Sequence, residues 1–226
     1  MNYISQATCM ICGKSYKKGN FDYICPDHGN EGILNIEYDY DAVKKVLSKE
    51  GLSKNKDTSI FRYKPLLPVE DNSPVPNIPV GNTPLIKVDS LAAQFGIKAL
   101  YIKDDSRLPT ASFKDRASAI AVVKAKELGA EVVTTASTGN AAAALSGLCA
   151  TMGQKNVIFV PASAPKAKIA QLLMFGSKVI LVEGTYDNAF DLCLEVAGHY
   201  GWYNRNTGYN PYMSEGKKTC SFEICE

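Results

Sequence analysis

Glu131-Val132-Val133-Thr134-Thr135-Ala136-Ser137-Thr138-Gly139-Asn140 carries a strand directly into a helix. The β-branched run at 131–135 suits a pleated, buried strand. Two hydroxyl residues and a glycine follow, and Asn140 opens a helical segment over 140–152. The same alternation recurs on both sides. Further strand-like runs lie at 99–103, 156–161, 178–183 and 202–204, and helical segments at 89–95, 114–128, 165–175 and 186–200. Gly96, Gly129, Gly153, Gly176 and Gly201 follow successive helices, where a C-terminal cap requires positive φ. Repeated strand–helix units at this spacing predict an α/β fold: a parallel sheet layered with helices on both faces.

Composition narrows the function classes. The chain has 226 residues, 46% apolar and 21% charged, ordinary for a globular protein with a sizeable core. A net charge of +2 is too small to argue for nucleic acid or an acidic membrane. No basic segment followed by an apolar run opens the chain, and no apolar run has the length of a membrane span. The expected compartment is the cytoplasm, with neither nucleic acid nor membrane as partner. Oligomeric state is not legible. The seven cysteines are odd in number, which speaks against a disulfide framework. Cys149, Cys193, Cys220 and Cys225 lie in helix-like apolar stretches and read as core packing.

The front of the chain reads differently. Cys9-x-x-Cys12 and Cys25-x-x-His28 are two chelating pairs separated by twelve residues. Two such knuckles supply four ligands to one tetrahedral Zn²⁺, leaving no open position for catalysis. A segment of this size, 1–36, cannot hold itself together by burial alone, so a structural zinc ribbon is expected. Residues 37–80 read as a short helix and a linker. Val43, Val46 and Leu47 give the helix over 41–51, ending on Gly51. The prolines at 65, 68, 74, 76 and 79 predict an extended stretch crossing the surface.

Two constellations carry chemistry. Ser112-Phe113-Lys114-Asp115-Arg116 opens a helix, with Ser112 and Asp115 in the pattern of a capping box. Lys114 then sits in the first turn, against the helix dipole, and a desolvated amine there suits a Schiff-base lysine. Ser137-Thr138-Gly139-Asn140 offers hydroxyls and free N–H groups at a helix start, an anion site suited to a carboxylate. Both lie at the carboxyl ends of strands, the edge where open α/β sheets bind ligands.

Taken in order, Gly81-Asn82-Thr83-Pro84-Leu85, Ser112-Phe113-Lys114-Asp115-Arg116, Ala136-Ser137-Thr138-Gly139-Asn140 and Glu215-Gly216-Lys217-Lys218-Thr219 resemble threonine synthases, of the tryptophan-synthase-β class of pyridoxal-phosphate enzymes. The cysteine-rich front resembles the zinc-ribbon extension of some bacterial and archaeal members. The resemblance implies fold type II, here incomplete: 81–109 would start the large cofactor domain, 110–210 would form the small α/β domain, and 211–226 would return to the large one. It implies pyridoxal 5′-phosphate on Lys114, with Asn140 bonded to the cofactor's 3′-oxygen. Ser137, Thr138 and Gly139 would hold the substrate carboxylate. Asp115 and Arg116 would anchor the helix, and Asn82 and Thr83 would shape the entrance. The implied reaction converts O-phosphohomoserine and water to threonine and phosphate.

Two features depart from the family pattern. The glycine-rich loop for the cofactor phosphate has no counterpart before residue 226, and the chain stops inside a helix begun near Glu215, so an N-terminal fragment with an exposed apolar face is expected. Some members also place an arginine just before the EGKKT-like motif. Here that position reads Tyr212-Met213-Ser214, with Arg205 or Lys166 as stand-ins for gripping a phosphate. A sister lyase or β-replacement enzyme of the same fold, and an inactive truncated chain, stay open as alternatives.

Overall fold

A computed structural model of the chain describes residues 3–226; Met1 and Asn2, the first two positions of the 1–36 segment, lie outside the described residues. Strands β1 (Ile4–Cys9), β2 (Ser15–Lys17) and β3 (Leu34–Tyr38) form an antiparallel sheet in the order β2-β1-β3. Its small core gathers Ile4, Ala7, Cys9, Cys25, Leu34, Ile36 and Tyr38. Helices α1 (Tyr40–Lys44) and α2 (Lys49–Lys54) follow. They replace the single helix expected over 41–51. Ser48 breaks it by accepting a hydrogen bond from Gly51 N and capping α2, so Gly51 lies inside a helix rather than after one.

The proline-rich segment also departs from expectation. It does not simply cross the surface extended. A 3-10 helix spans Ile60–Leu66, and Ile60, Phe61, Leu67, Val69 and Val80 enter the main core. Proline fixes φ but says nothing about depth, and here the apolar residues between the prolines set the burial.

Next come β4 (Leu85–Lys87), α3 (Asp89–Gln94) and β5 (Tyr101–Lys103). The run expected at 99–103 forms a strand, but not one of the parallel sheet: β5 pairs antiparallel with β4 as a separate ribbon. Leu85, Ile86, Tyr101 and Ile102 on that ribbon are all exposed. The remaining elements alternate as predicted: α4 (Lys114–Glu127), β6 (Val132–Ala136), α5 (Asn140–Thr151), β7 (Lys155–Pro161), α6 (Lys166–Met174), β8 (Lys178–Val182), α7 (Tyr186–Tyr200), β9 (Tyr203–Asn204) and α8 (Tyr212–Cys225). The predicted cap glycines at 96, 129, 153, 176 and 201 all have positive φ.

Strands β6 to β9 make a parallel sheet in the order β8-β7-β6-β9. Its side chains divide by the two-residue period of a strand. Val133, Ile158 and Val160 face the cluster built on α4 and α5, while Val132, Ala136, Val157 and Phe159 face Ala189 and Cys193 of α7. Both faces are therefore covered, as a parallel sheet requires. The strand order reverses at β6: the chain moves outward through β7 to β8, then returns to β9 on the other side. No helix among the described residues is long and apolar enough to cross a membrane.

Candidate active site

Helix α4 precedes β6 and α5 follows it, so the N-termini of both helices lie at the carboxyl edge of that strand. The two helices pack together, and the loop before α4 reaches α5 directly. A Cβ added at Gly147 of α5 would lie 2.8 Å from Thr110 Cγ2. The strand reversal at β6 places the crevice of an open α/β sheet at this same edge, beside β9.

Lys114 is half-buried at the start of α4, its Nζ 5.9 Å from the centroid of the Phe113 ring. The expected capping box does not form. Phe113 occupies the cap position with helical φ/ψ and no side-chain cap bond, although Lys114 N donates to Ser112 Oγ at 3.3 Å. Asp115 reaches instead to Thr110, accepting from its N at 2.7 Å and from its Oγ1 at 2.5 Å. Burial pushes the Asp115 carboxyl above its usual range, against the pull of those two bonds. Between them Ala111 is held at φ +56°, an uncommon conformation for a residue with a Cβ.

Arg116 anchors α4 from below. Fully buried, it donates to Asp105 Oδ2 at 2.8 Å, Glu223 Oε1 at 2.6 Å and Thr83 Oγ1 at 3.1 Å. Lys103 Nζ completes the cluster 2.7 Å from Glu223 Oε2. Desolvation acts against the Glu223 carboxylate, yet Arg116 and Lys103 together hold its pKa below the ordinary value. Glu223 Oε1 also accepts from Asn82 N at 3.0 Å, with Asn82 at φ +51°. Asn82 and Thr83 are thus tied to α4 and α8 through one ionic network.

Ser137, Thr138 and Gly139 are half-buried at the end of β6, and Asn140 is exposed at the head of α5. Ser137 N donates to Phe159 O at 3.1 Å, and Gly139 N donates to Ser137 Oγ at 3.2 Å. No side chain caps α5, so its first N–H groups are left for a ligand or water. The end of β9 is stitched to this bend by Asn206, whose Oδ1 accepts from Thr135 Oγ1 at 2.7 Å and Ala136 N at 2.9 Å. Sequence reasoning missed Asn206 and Glu223. The Asn-Arg-Asn run at 204–206 directly after a strand was the signal for the first; the second had none.

A cleft of about 430 Å³ lies elsewhere, lined by Leu128, Gly129, Glu131, Trp202 and Tyr203 among others. Those residues mark the amino ends of β6 and β9, the wrong edge for ligand binding in this architecture.

At the front, Cys9, Cys12, Cys25 and His28 place one ligand atom each within 4.8 Å of all the others. His28 Nδ1 is 3.9 Å from Cys9 Sγ and 3.5 Å from Cys25 Sγ. Hydrogen bonds from His28 and then Tyr16 draw the Cys25 thiol down to about 6, toward the thiolate that a metal requires. The four predicted residues are brought together and can hold one metal ion.

Residues 77–226 match the model of the family described as pyridoxal-phosphate dependent enzyme, and the chain belongs to that family. Among its relatives is a threonine synthase of Methanocaldococcus jannaschii, 40% identical over 219 residues that cover 96% of this chain and 53% of the relative. A threonine synthase of Methanosarcina acetivorans is 41% identical, with 96% and 52% covered. The chain therefore spans about half the length of the curated relatives it matches. Among solved structures, the processed form of threonine deaminase isoform 2 from Solanum lycopersicum superposes with a TM-score of 0.58 and 26% identity, over 67% of this chain and 42% of that one. Apo diaminopropionate ammonia lyase of Escherichia coli, at 24% identity, TM-score 0.56 and coverage of 63% and 47%, shares the fold.

Proposed function

We propose that this chain supplies the cofactor lysine and the substrate-carboxylate bend of a threonine synthase, the pyridoxal-phosphate enzyme that converts O-phosphohomoserine and water to threonine and phosphate. One observation carries the reading: the Lys114 amine and the uncapped 137–140 bend start two packed helices at the same edge of one parallel sheet. The residues fit the cofactor, since a half-buried amine opens α4 and the helix packed against it, α5, begins without a side-chain cap. Pyridoxal phosphate, when bound, supplies an aldehyde for imine formation and a ring that withdraws electrons.

Each residue then has a task. Lys114 would hold the cofactor through its amine, and the same amine would take and return protons at the substrate carbons. Ser137, Thr138 and the Gly139 backbone fix the substrate carboxylate, with the α5 dipole favouring its charge. Asn140, at the head of α5, would hold the cofactor ring through its side-chain amide. Arg116 and Asp115 act only by fixing the first turn of α4. In this reading 81–109 and 211–226 belong to the larger cofactor domain and 110–210 to the smaller one. The acidity of the C–H to be broken and the departure of phosphate demand a water-poor site, so the rest of the enzyme must close over this edge.

Tyr212-Met213-Ser214, in place of an arginine, favours a second reading, a sister lyase acting on an unphosphorylated hydroxy amino acid. One assay on the whole enzyme separates them. Phosphate release from O-phosphohomoserine, with threonine formed, supports the first; 2-oxo acid formed from serine or threonine, without that release, supports the second.

For the front sheet we propose one structural zinc held by Cys9, Cys12, Cys25 and His28. The support is the mutual spacing of the ligand atoms and a core too small to stand without a staple. Metal analysis of the purified protein should find about one zinc per chain. Removal by a chelator should melt the front sheet and leave the α/β sheet folded.

A further inference from the structure

Strand β9 closes one edge of the parallel sheet and is only two residues long, Tyr203–Asn204. Its inner side is tied to β6, where Arg205 N donates to Thr134 O at 2.8 Å. The N–H of Asn204, one residue earlier, is turned the other way, off the edge, and among the described residues no strand lies beyond it. Asn204 is 2% exposed, and a buried edge donor without a partner is costly. The partner comes from the front of the chain: Asn204 N donates to the Tyr23 hydroxyl at 3.2 Å. The Tyr23 ring packs on Tyr203 and Tyr209, at centroid distances of 5.8 and 5.1 Å.

From Asn204 a chain of hydrogen bonds runs inward to the bend. Asn204 Oδ1 accepts from Asn206 N at 2.8 Å. Asn206 Oδ1 accepts in turn from Thr135 Oγ1 at 2.7 Å and Ala136 N at 2.9 Å. Ala136 is the last residue of β6, and Ser137 follows it directly. Both asparagines are buried, so water does not compete for these bonds. A side branch holds the same segment. Asn210 Nδ2 donates to Asn204 O at 2.7 Å, and Asn210 Oδ1 accepts from Tyr212 N at the start of α8 at 3.0 Å. The front sheet grips α8 a second time, through the Tyr38 hydroxyl 2.6 Å from Glu215 Oε2. A strand of two residues has too few bonds of its own to resist slipping, so its position depends on what braces it from outside.

We propose that Tyr23 of the front segment is a positioning residue for the 137–140 bend: its hydroxyl, acting through Asn204 and Asn206, fixes where β6 ends and so where the substrate carboxylate is held. The inference rests on the carboxylate role proposed above for that bend. Tyr23 itself touches no reacting atom. It stands two residues before Cys25, so the cysteine–histidine cluster and the brace on β9 belong to one short stretch of chain. The rival account is a tyrosine that only packs. Packing alone would leave the hydroxyl dispensable, because phenylalanine keeps both ring contacts.

The test uses the whole, cofactor-loaded enzyme and its Tyr23→Phe variant, which keeps the ring and loses the acceptor. Amide hydrogen exchange should quicken by about fivefold, the worth of one ordinary hydrogen bond, in peptides covering 203–210 and 134–140, with β8 unchanged. KM for O-phosphohomoserine, or for serine if the second reading holds, should rise by a similar factor with kcat nearly kept. A tyrosine that only stabilises the fold would quicken exchange across the whole sheet and leave KM alone. In an Asn206→Ala background Tyr23→Phe should raise KM no further, because the chain is already cut; fully additive effects overturn the route. Ser137→Ala separates the two claims. If it leaves KM unchanged, the carboxylate role of the bend is lost, and the exchange of 134–140 in Tyr23→Phe still decides the chain. If Ser137→Ala raises KM and Tyr23→Phe does not, the proposal is overturned. Parent-like exchange at 134–140 in Tyr23→Phe overturns it too. Should that variant not fold, parent-like exchange there in Asn204→Ala does the same.

Discussion

Gly198 and Gly216 each sit inside a long helix of this protein, and the same substitution should move stability in opposite directions at the two. A Cβ at Gly216 of α8 would lie 2.2 Å from Arg116 O, 2.8 Å from Arg116 C and 3.0 Å from Ala117 Cα. All three are backbone atoms of α4, so no side-chain rotation relieves the clash. Restoring an ordinary contact of at least 3.4 Å requires the helices to separate by at least 1.2 Å, the difference between 3.4 and 2.2. Overpacking of this kind costs roughly 1–3 kcal/mol, and rigid backbone on both sides argues for the upper end. Alanine returns about 1 kcal/mol of helix propensity, for a net loss of about 2 kcal/mol. At Gly198 of α7 nothing lies within 4 Å of the added Cβ, so Gly198→Ala keeps the propensity gain of about 1 kcal/mol. The two variants should differ by about 3 kcal/mol. With a urea slope of about 2 kcal/mol/M, that is a gap of roughly 1.5 M between unfolding midpoints. Equal midpoints, or a Gly198 variant weaker than the Gly216 one, would refute the close seating of α8 on α4.

The ionic cluster under α4 gives two further outcomes. Arg116→Met leaves Asp105 with the Thr83 hydroxyl and no ion pair, and Glu223 with Lys103 and the Asn82 and Thr83 amides, and should cost about 3 kcal/mol in a urea titration. Glu223 and Asp105 both have folded pKa values below their ordinary ones, so the stability they contribute is fully present above about pH 4.3 and lost as pH falls through the lower folded values. Asp115 and Glu215, raised by burial, act in the opposite sense. The clean readout is therefore the difference between the parent and Glu223→Gln: thermal scans should show a large gap at pH 6 that narrows toward pH 3.

Much of this arrangement was legible in the sequence because it is local. Period-two and helical patterns with a glycine after each helix gave α4 to β9 nearly residue by residue, and the two knuckle pairs gave the cysteine–histidine cluster. The failures are tertiary. β5 has the pattern of any half-buried strand, and only its pairing with β4 removes it from the parallel sheet. Asp115 matched a capping box by spacing, but the turn strained at Ala111 brings Thr110 to it first. Lys114 and the 137–140 bend stand out in the sequence because each sits at a helix start. The state of Arg205, buried with a free donor, depends on residues from α4 and β9 meeting, and no local pattern encodes that.

The central claim is that Lys114 carries the cofactor. Borohydride reduction of the cofactor-loaded whole enzyme, followed by peptide mapping, tests it most directly: the pyridoxyl mass should fall on the peptide containing Lys114 and vanish in Lys114→Ala. A stable adduct on Lys217, or on any other lysine with Lys114 unlabelled, would contradict the account.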